Sequence, residues 1–453
     1  MKPIKKEELP KESKKLLIFN FNKAKELQKQ FNKLIPGGCP TYAKGDDQYP
    51  EFMPPYIVKG KGCRVWDVDG NEYIEYGMGL RSVTLGHAFP PVVNAAYEQM
   101  RKGANFNRPA TIELEYAEEF LDLFKGADMV KFGKNGSDAN SGAVRLARAF
   151  TGRDMIAICA DHPFFSVDDW FIGTTAMSAG IPQAIKELTV KFNYNDIESV
   201  ESLFAKYPEK IACVILEPEK YSTPQNNYLQ KLKELCHQND ALLVFDEMIT
   251  GFRAHLGGAQ TKYNVVPDLS AFGKAMGNGF SISALTGKSV IMELGGQNHN
   301  RERVFLLSLT HGAETHALAA AKATLEFYKE HNVIEILSNQ GRKLSNKLTK
   351  AAEELHLAEH FQILGPDYCS IYTTLDQNKK HSELFRTLFL QETMKRGLLM
   401  PSTVISYSHN DQIIEETAEK VFEALIIYKK ALENGVEKYL KGRPVKPAIR
   451  KYK

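Results

Sequence analysis

Short apolar runs alternate with amphipathic helical patterns through the middle of the chain, from about residue 91 to residue 325. Apolar side chains recur every three or four positions at 139–150, 197–206 and 228–237. Strands that are buried on both faces read as continuous apolar runs, and helices between them allow parallel pairing. The pattern therefore predicts a large α/β domain with a mostly parallel sheet. The predicted strands are 155–159, 188–192, 213–216, 242–245, 270–272 and 283–286.

The first part of the chain, residues 1–90, has a different pattern. A polar helix is predicted at 14–33. Strand-like alternation follows at 63–68 and 72–76, and Asp69-Gly70 between these runs is a hairpin-turn signal. We therefore expect an N-terminal segment made of a helix and small strands.

The last part of the chain, residues 326–453, combines long amphipathic helices with short strand-like runs. The helices are predicted at 333–355 and 412–433, and the short runs are at 361–364 and 370–374. This mixture predicts a small α+β C-terminal domain. The chain is thus expected to consist of an N-terminal segment, a large α/β domain and this small domain.

The charge balance argues against a nucleic-acid partner. Lys and Arg number 58 against 55 Asp and Glu, a formal net charge of +3, which is too small for phosphate-backbone binding. One basic run, 438–453, is expected to be an extended, solvated tail. No apolar stretch approaches the ~20 residues of a membrane span, so no membrane partner is expected.

Common site signatures are absent from the sequence. It contains no GxGxxG fingerprint, no complete P-loop and no HExxH motif. The six cysteines are scattered without a CxxC pair, so we expect reduced thiols and no metal site. The N-terminus lacks the apolar region of a signal peptide, which favours a cytoplasmic location.

A glycine-containing turn, KFGKNGSDAN at 131–140, stands where a helical pattern begins. Free backbone N–H groups and the helix dipole make such a turn an anion site, here around Asn135, Gly136 and Ser137. The alternative is an ordinary helix start with Ser137 or Asp138 as the N-cap. Considered alone, the pattern favours the N-cap.

Acidic and basic side chains follow two neighbouring predicted strands. Asp246 and Glu247 come directly after the run 242–245, where open α/β sheets bind ligands. A buried carboxylate there needs a partner, either a protonated heterocyclic nitrogen or a structural arginine such as Arg253. Lys274 lies in apolar surroundings, so its pKa should fall from about 10.4 and its amine should become nucleophilic. The alternative is a lysine whose charged end extends to the surface.

An anion-binding turn, a strand-end acid and a buried lysine are the parts that a pyridoxal-phosphate site needs. Over about residues 36–328 the chain also resembles class III aminotransferases, most closely their glutamate-1-semialdehyde 2,1-aminomutase branch. DEMITGFR at 246–253 is similar to DEVMTGFR of that branch, and Phe272-Gly273-Lys274 matches the family's lysine motif. The resemblance implies a fold-type I architecture, a homodimer and pyridoxal 5'-phosphate as cofactor, with pyridoxamine 5'-phosphate formed in the cycle.

The resemblance also implies roles around the cofactor ring. Lys274 would hold the cofactor as a Schiff base and move protons, and Asp246 would pair with the ring nitrogen. Met248 would pack on one face of the ring, and Glu217 would lie near it. His162 stands where the family often has a stacking residue, but it is equally well interpreted as a core histidine.

For the cofactor phosphate, the resemblance implies contacts from two places. Asn135, Gly136 and Ser137 stand where the family has Ser-Gly-Thr. Thr310 resembles the threonine that reaches the phosphate from the partner subunit.

The chain departs from the aminomutase pattern where that enzyme binds its substrate. Leu80, followed by Arg81, replaces a tryptophan, and the substrate-carboxylate Ser and Arg align loosely with Thr41 and Lys44. A strict mutase needs a guanidinium fork, and Lys provides only a point charge. We therefore predict an aminotransferase that acts on an aldehyde or ketone. The alternatives are the aminomutase, which forms 5-aminolevulinate, and a non-catalytic protein of the same fold.

Overall fold

The computed structural model describes residues 20–312 and 314–451. Its strands are β1 (Ile57–Lys61), β2 (Arg64–Asp67), β3 (Glu72–Glu75), β4 (Met129–Gly133), β5 (Met155–Cys159), β6 (Thr189–Phe192), β7 (Ile211–Leu216), β8 (Leu242–Asp246), β9 (Leu269–Phe272), β10 (Ser283–Gly287), β11 (Phe361–Leu364), β12 (Cys369–Thr374), β13 (Leu398–Leu399) and β14 (Thr403–Val404). The longer helices are α1 (Asn22–Leu34), α2 (Pro90–Met100), α3 (Thr111–Leu121), α4 (Gly136–Thr151), α5 (Ile197–Lys206), α6 (Tyr228–Gln238), α7 (Thr315–Glu330), α8 (Val333–Glu354), α9 (Glu383–Met394) and α10 (Asp411–Asn434). Shorter helical turns include Asp169–Ile172, Gln183–Lys186, Gly258–Lys262, Lys274–Gly277 and Ser289–Met292.

The central sheet has the strand order β4-β10-β9-β8-β7-β5-β6. Strands β6, β5, β7, β8 and β9 run parallel to one another. Every residue of β5 and β7 is buried, as expected for strands covered by helices on both faces. The six strands and three helices predicted for this region are confirmed, whereas β4 was not predicted.

Strand β10 runs antiparallel to both of its neighbours, β4 and β9. The reason is the short connection between β9 and β10, residues 273–282. A parallel return needs a crossover of a dozen or more residues, usually a helix, and this segment is too short for one. Lys274 is the second residue of this segment, so it lies at the carboxyl end of β9.

The N-terminal strands form a smaller sheet with the order β1-β2-β3-β13. The predicted hairpin is confirmed, because β2 and β3 pair antiparallel on either side of Asp69-Gly70. Strand β13 comes from the C-terminal part of the chain and pairs parallel with β3. The three-part division at about residues 90 and 325 stays a prediction. Of the helix predicted at 14–33, the structure contains α1, and residues 14–19 lie outside the described residues.

The C-terminal part contains both predicted long helices, α8 and α10, and a sheet of order β11-β12-β14. The prediction of a solvated tail is wrong for residues 443–446, because this segment binds to the N-terminal segment. The N–H of Arg443 donates to Glu51 at 2.7 Å, and that of Lys446 donates to the Asp47 carbonyl at 3.0 Å. Within the described ranges, no helix is long and apolar enough to cross a membrane.

Candidate active site

A cavity of about 450 Å³, called here the main cavity, lies at the carboxyl ends of β7, β8 and β9. Glu217 follows β7, Asp246 is the last residue of β8, and Lys274 lies two residues after β9; all three line the cavity. These strands are parallel neighbours, so their ends meet at one edge of the sheet. The volume lies within the ~300–1,000 Å³ range of small-molecule sites. The topology therefore brings the predicted lysine and acid to one ligand-sized space.

Lys274 occupies a strained position in the wall of the main cavity. Its backbone φ is +46°, in the left-handed region that residues with a Cβ seldom adopt. Burial lowers the pKa of Lys274 to about 8, and the carboxylates of Asp246 and Glu217 oppose that shift. The amine is therefore neutral far more often than that of a solvated lysine. This result favours the nucleophile over the alternative of a surface-directed lysine.

Asp246 is a buried carboxylate that forms no salt bridge with any residue that the structure describes. It accepts hydrogen bonds from Asn140 Nδ2 at 2.8 Å and from the Met248 N–H at 2.9 Å. Burial, together with the nearby Glu217 carboxylate, raises the pKa of Asp246 above its ordinary value. The alternative partner, Arg253, instead donates to the Ile249 carbonyl at 3.1 Å and to the Arg81 carbonyl.

The neighbouring acid, Glu247, stabilises the local backbone instead of facing the cavity. It accepts hydrogen bonds from the N–H groups of Ala259 at 2.8 Å and Gln260 at 2.7 Å, and from the Thr250 hydroxyl. The two N–H donors lie in the short helix Gly258–Lys262, so Glu247 satisfies the first turn of that helix. Of the two adjacent acids, only Asp246 lines the main cavity.

The turn before α4 is closed by a helix cap that leaves backbone amides facing the main cavity. Asp138 accepts hydrogen bonds from the N–H groups of Lys134 at 3.1 Å and Asn135 at 2.7 Å. The N–H groups of Gly136 and Ser137 lie in the first helical turn, where no intrahelical acceptor exists. Both residues line the main cavity, as Asn135 does. The N-cap is Asn135, and the prediction of Ser137 or Asp138 at that position is wrong; Asp138 instead completes the cap from the third helical position. This cap does not use the amides of Gly136 and Ser137, so the anion site stays a prediction.

Met248 packs between this turn and the lysine turn. A Cβ atom at Gly136 or at Gly273 would lie 2.8 Å from the Met248 sulfur. A Cβ at either position would displace the thioether, so the two glycines permit its close approach. Met248 lines the main cavity. Its packing on one face of a cofactor ring stays a prediction.

Glu217 is buried and pairs with Lys220 through Oε1. Burial would raise its pKa, but the Lys220 ammonium outweighs that effect and holds the pKa below its ordinary value. Its other oxygen, Oε2, has no hydrogen-bond partner among the described residues. The Glu217 N–H donates to His162 Nδ1 at 3.0 Å. Burial lowers the pKa of His162 to about 4, so this ring is neutral at pH 7.

Several predicted residues lie away from the wall of the main cavity. His162 is buried beside Tyr194, with ring centroids 5.4 Å apart, and the phenylalanines that follow it, at 164 and 165, line the cavity instead. Thr310 and Thr41 are exposed, and Leu80 is half-buried with a φ of +56°. The roles assigned to these four residues stay predictions.

The remaining substrate candidates lie at cavities. Lys44 lines the main cavity, and Arg81 lines a smaller cavity that adjoins it. Two further polar residues were not predicted, Asn140 on α4 and Lys134 in the turn. Asn140 carried a usable signal, because it falls on the buried side of α4, where an amide needs a partner. Lys134 pairs with Glu314 across the cavity edge, which no local pattern indicates.

Comparison with known proteins agrees with this geometry. A family model described as aminotransferase class-III matches residues 45–438. The chain therefore belongs to the class III aminotransferase family, and the fold-type I architecture that the sequence predicted is confirmed.

Individual relatives are similar over nearly their whole length. The glutamate-1-semialdehyde 2,1-aminomutase of Sulfurihydrogenibium sp. (strain YO3AOP1) is 33% identical over 432 residues, which cover 89% of this chain and 98% of that enzyme. The enzyme of the same name from Sulfurihydrogenibium azorense is 34% identical over 442 residues, with coverage of 90% and 100%. The FumI protein of Sphingopyxis sp. MTA144, solved in its PLP internal aldimine form, superimposes with a TM-score of 0.82 at 26% identity, covering 93% of this chain and 98% of FumI.

The lowered pKa of Lys274 predicts an unusual pH dependence of its reactivity. In the ligand-free protein, acylation of Lys274 by acetic anhydride should reach half of its maximal rate near pH 8, because only the neutral amine reacts. In Asp246→Asn the half-point should move lower, because a charge that stabilises the ammonium is lost. Peptide mass spectrometry measures both, with the exposed Lys102 as internal reference. A half-point near ~10.4 in the wild-type protein, or an upward shift in the variant, would contradict the assignment.

Proposed function

We propose that this protein is an aminotransferase that carries pyridoxal 5'-phosphate on Lys274 and moves an amino group to an aldehyde or ketone. One observation carries this proposal: Lys274, Asp246 and the anion-binding start of α4 all line the main cavity. Family membership agrees with it, since the FumI structure contains the same cofactor.

The side chains present fit this cofactor on three grounds. Asp246 is buried without a salt bridge to any described residue, so a protonated ring nitrogen would supply the cation that it needs. The amides of Gly136 and Ser137 would bind the phosphate at the start of α4. Lys274 has the lowered pKa that a carbonyl-binding amine requires.

When bound, pyridoxal phosphate supplies an aldehyde that condenses with amines and a ring that withdraws electrons from the adjacent carbon. Asp246 would hold the proton on the ring nitrogen. Once an incoming amine has released it, Lys274 Nζ would take a proton from the α-carbon of the substrate. Met248 would pack on one ring face, and Phe164 and Phe165 would exclude water from the other side of the cavity.

The second candidate function is that of a glutamate-1-semialdehyde 2,1-aminomutase. Its support is the name of the relatives that are 33% and 34% identical. We rank it second because Lys44, not an arginine, reaches the main cavity from the loop that aligns with the substrate-carboxylate residues of that enzyme. In addition, Leu80 stands where that enzyme has a tryptophan, so no aromatic side chain is available at this position.

We further propose a cytoplasmic homodimer. The segment before Thr310 exposes large apolar side chains, with Phe305 68% and Leu309 44% accessible. Exposed apolar side chains clustered in this way are typical of an interface. Pairing of two subunits through this segment would place Thr310 at the partner's phosphate site.

The cofactor linkage is tested by chemical trapping. Purified protein should be yellow, and borohydride should fix the cofactor on the peptide that contains Lys274. Lys134 and Lys44, which also line the main cavity, should remain unlabelled, because Lys134 is paired with Glu314 and Lys44 is exposed. Label on either of them, or full turnover by Lys274→Ala, would exclude the proposed role.

The dimer is tested at the exposed apolar segment. Analytical ultracentrifugation should show a dimer at assay concentration. Phe305→Asp should shift the protein towards monomer and lower its cofactor affinity, because a buried charge at an interface is costly. The control is Leu364→Asp, at a 39% exposed position of β11. A monomeric wild-type protein with full activity would contradict the proposal.

The choice between aminotransferase and aminomutase is tested with one substrate. Glutamate 1-semialdehyde alone should give little 5-aminolevulinate when added to the amine form of the holoenzyme, because Lys44 lacks the guanidinium fork. The product is measured by chromatography over many turnovers. Rapid multiple-turnover formation without any amino donor or acceptor would establish the mutase instead.

A further inference from the structure

A second cavity, called here the side chamber, has a volume of about 130 Å³ and adjoins the main cavity. Phe164, Glu217 and Lys274 line both spaces, so the amine of Lys274 lies between them. Arg81 and Lys220 line only the side chamber. A substrate whose amine reaches the position of Lys274 can therefore extend towards these two cations.

The charged residues that line the side chamber differ in whether they form a salt bridge with another described residue. Glu219 is already paired, because its carboxylate accepts hydrogen bonds from Lys262 Nζ at 2.8 and 2.9 Å and from the Tyr368 hydroxyl at 3.1 Å. Glu217 is paired with Lys220. Arg81, in contrast, forms no salt bridge with any residue in the described ranges.

The guanidinium of Arg81 has a single hydrogen bond within those ranges, from Nε to Cys369 Sγ at 3.3 Å. That bond leaves the two terminal nitrogens of the fork without a partner among the described residues. A planar fork with two free nitrogens matches the two oxygens of a carboxylate.

The backbone that carries Arg81 is unusual and firmly held. Met78, Gly79, Leu80 and Arg81 have φ values of 41°, 58°, 56° and 70°, which form a left-handed turn. Such a turn is costly for residues with a Cβ and persists only where its surroundings enforce it. Here the Arg81 N–H donates to the Gly77 carbonyl at 2.9 Å, and the buried Arg253 donates to the Arg81 carbonyl. These bonds fix the backbone from which the Arg81 side chain projects.

We propose that Arg81 binds the carboxylate of a short amino acid, with Lys220 as a second donor, and that such amino acids are substrates of this enzyme. The proposal rests on the aminotransferase function proposed above and names its substrate class. A chamber of about 130 Å³ is well below the ~300–1,000 Å³ of a drug-sized pocket. Its size suits a carboxylate that is attached through one or two carbon atoms.

Matched amines test this assignment on the holoenzyme. Alanine, β-alanine and 4-aminobutanoate are compared with isopropylamine, propylamine and butylamine, which carry a methyl group in place of the carboxylate. The measured quantity is the second-order rate at which each amine converts the cofactor to its amine form, followed by absorbance. For at least one pair, the wild-type enzyme should prefer the acid by about 10- to 100-fold, the range expected for a charged hydrogen bond.

Two substitutions separate Arg81 from the competing site at Lys44. Arg81→Met should lower the ratio of the acid rate to the amine rate to about 1, and Arg81→Lys should restore part of that ratio, because a point charge replaces the fork. Lys44→Met should keep the preference. Arg101→Met, at an exposed ion pair with Glu98, controls for the loss of a surface charge. Borohydride labelling of Lys274 in each variant shows that the site is assembled.

The outcomes distinguish this inference from the proposed function. If no amine converts the cofactor, the aminotransferase proposal itself fails. If amines react but the wild-type enzyme shows no preference for any acid, the substrate class is wrong. If Lys44→Met rather than Arg81→Met removes the preference, the carboxylate binds at the loop and not in the side chamber.

Discussion

The site depends on one interaction, the attraction between two opposite charges that are both removed from water. Burial lowers the pKa of Lys274 and raises that of Asp246, and each charge partly offsets the shift of the other. A weakly protonated amine and a carboxylate without a salt bridge can therefore persist in one cavity. The two side chains reach the same cavity because β8 and β9 are parallel neighbours. The register of the central sheet therefore determines which groups can react together there.

The surrounding residues keep this pair in place with few contacts. Asn140 and the Met248 amide fix the Asp246 carboxylate, while two glycines let the Met248 sulfur approach the backbone closely. Glu247, adjacent in sequence, satisfies a short helix instead. The two adjacent acids thus have different roles: Asp246 faces the cavity, and Glu247 stabilises the local backbone. The site can therefore be rigid although Asp246 and Lys274 form no salt bridge with the described residues.

On the substrate side, the family likeness and the structure differ in emphasis. Relatives about one-third identical are named as aminomutases, yet Arg81, on its left-handed turn, lines a cavity together with Lys274. Lys44 also reaches the main cavity, although as an exposed point charge. Because small changes in cation position redirect a substrate carboxylate, a shared fold and cofactor site leave the substrate open.

The sequence by itself determined the parallel sheet, the long helices and the placement of Asp246 and Lys274 at the ends of neighbouring strands, because periodicity and strand-end chemistry are local. It also contained the helix start at Gly136. It did not determine the antiparallel β10, the joining of β13 to β3, or the hydrogen bond from Arg81 to Cys369. Those features arise from contacts between residues far apart in sequence, and their free energies are set by packing and burial that no local pattern records.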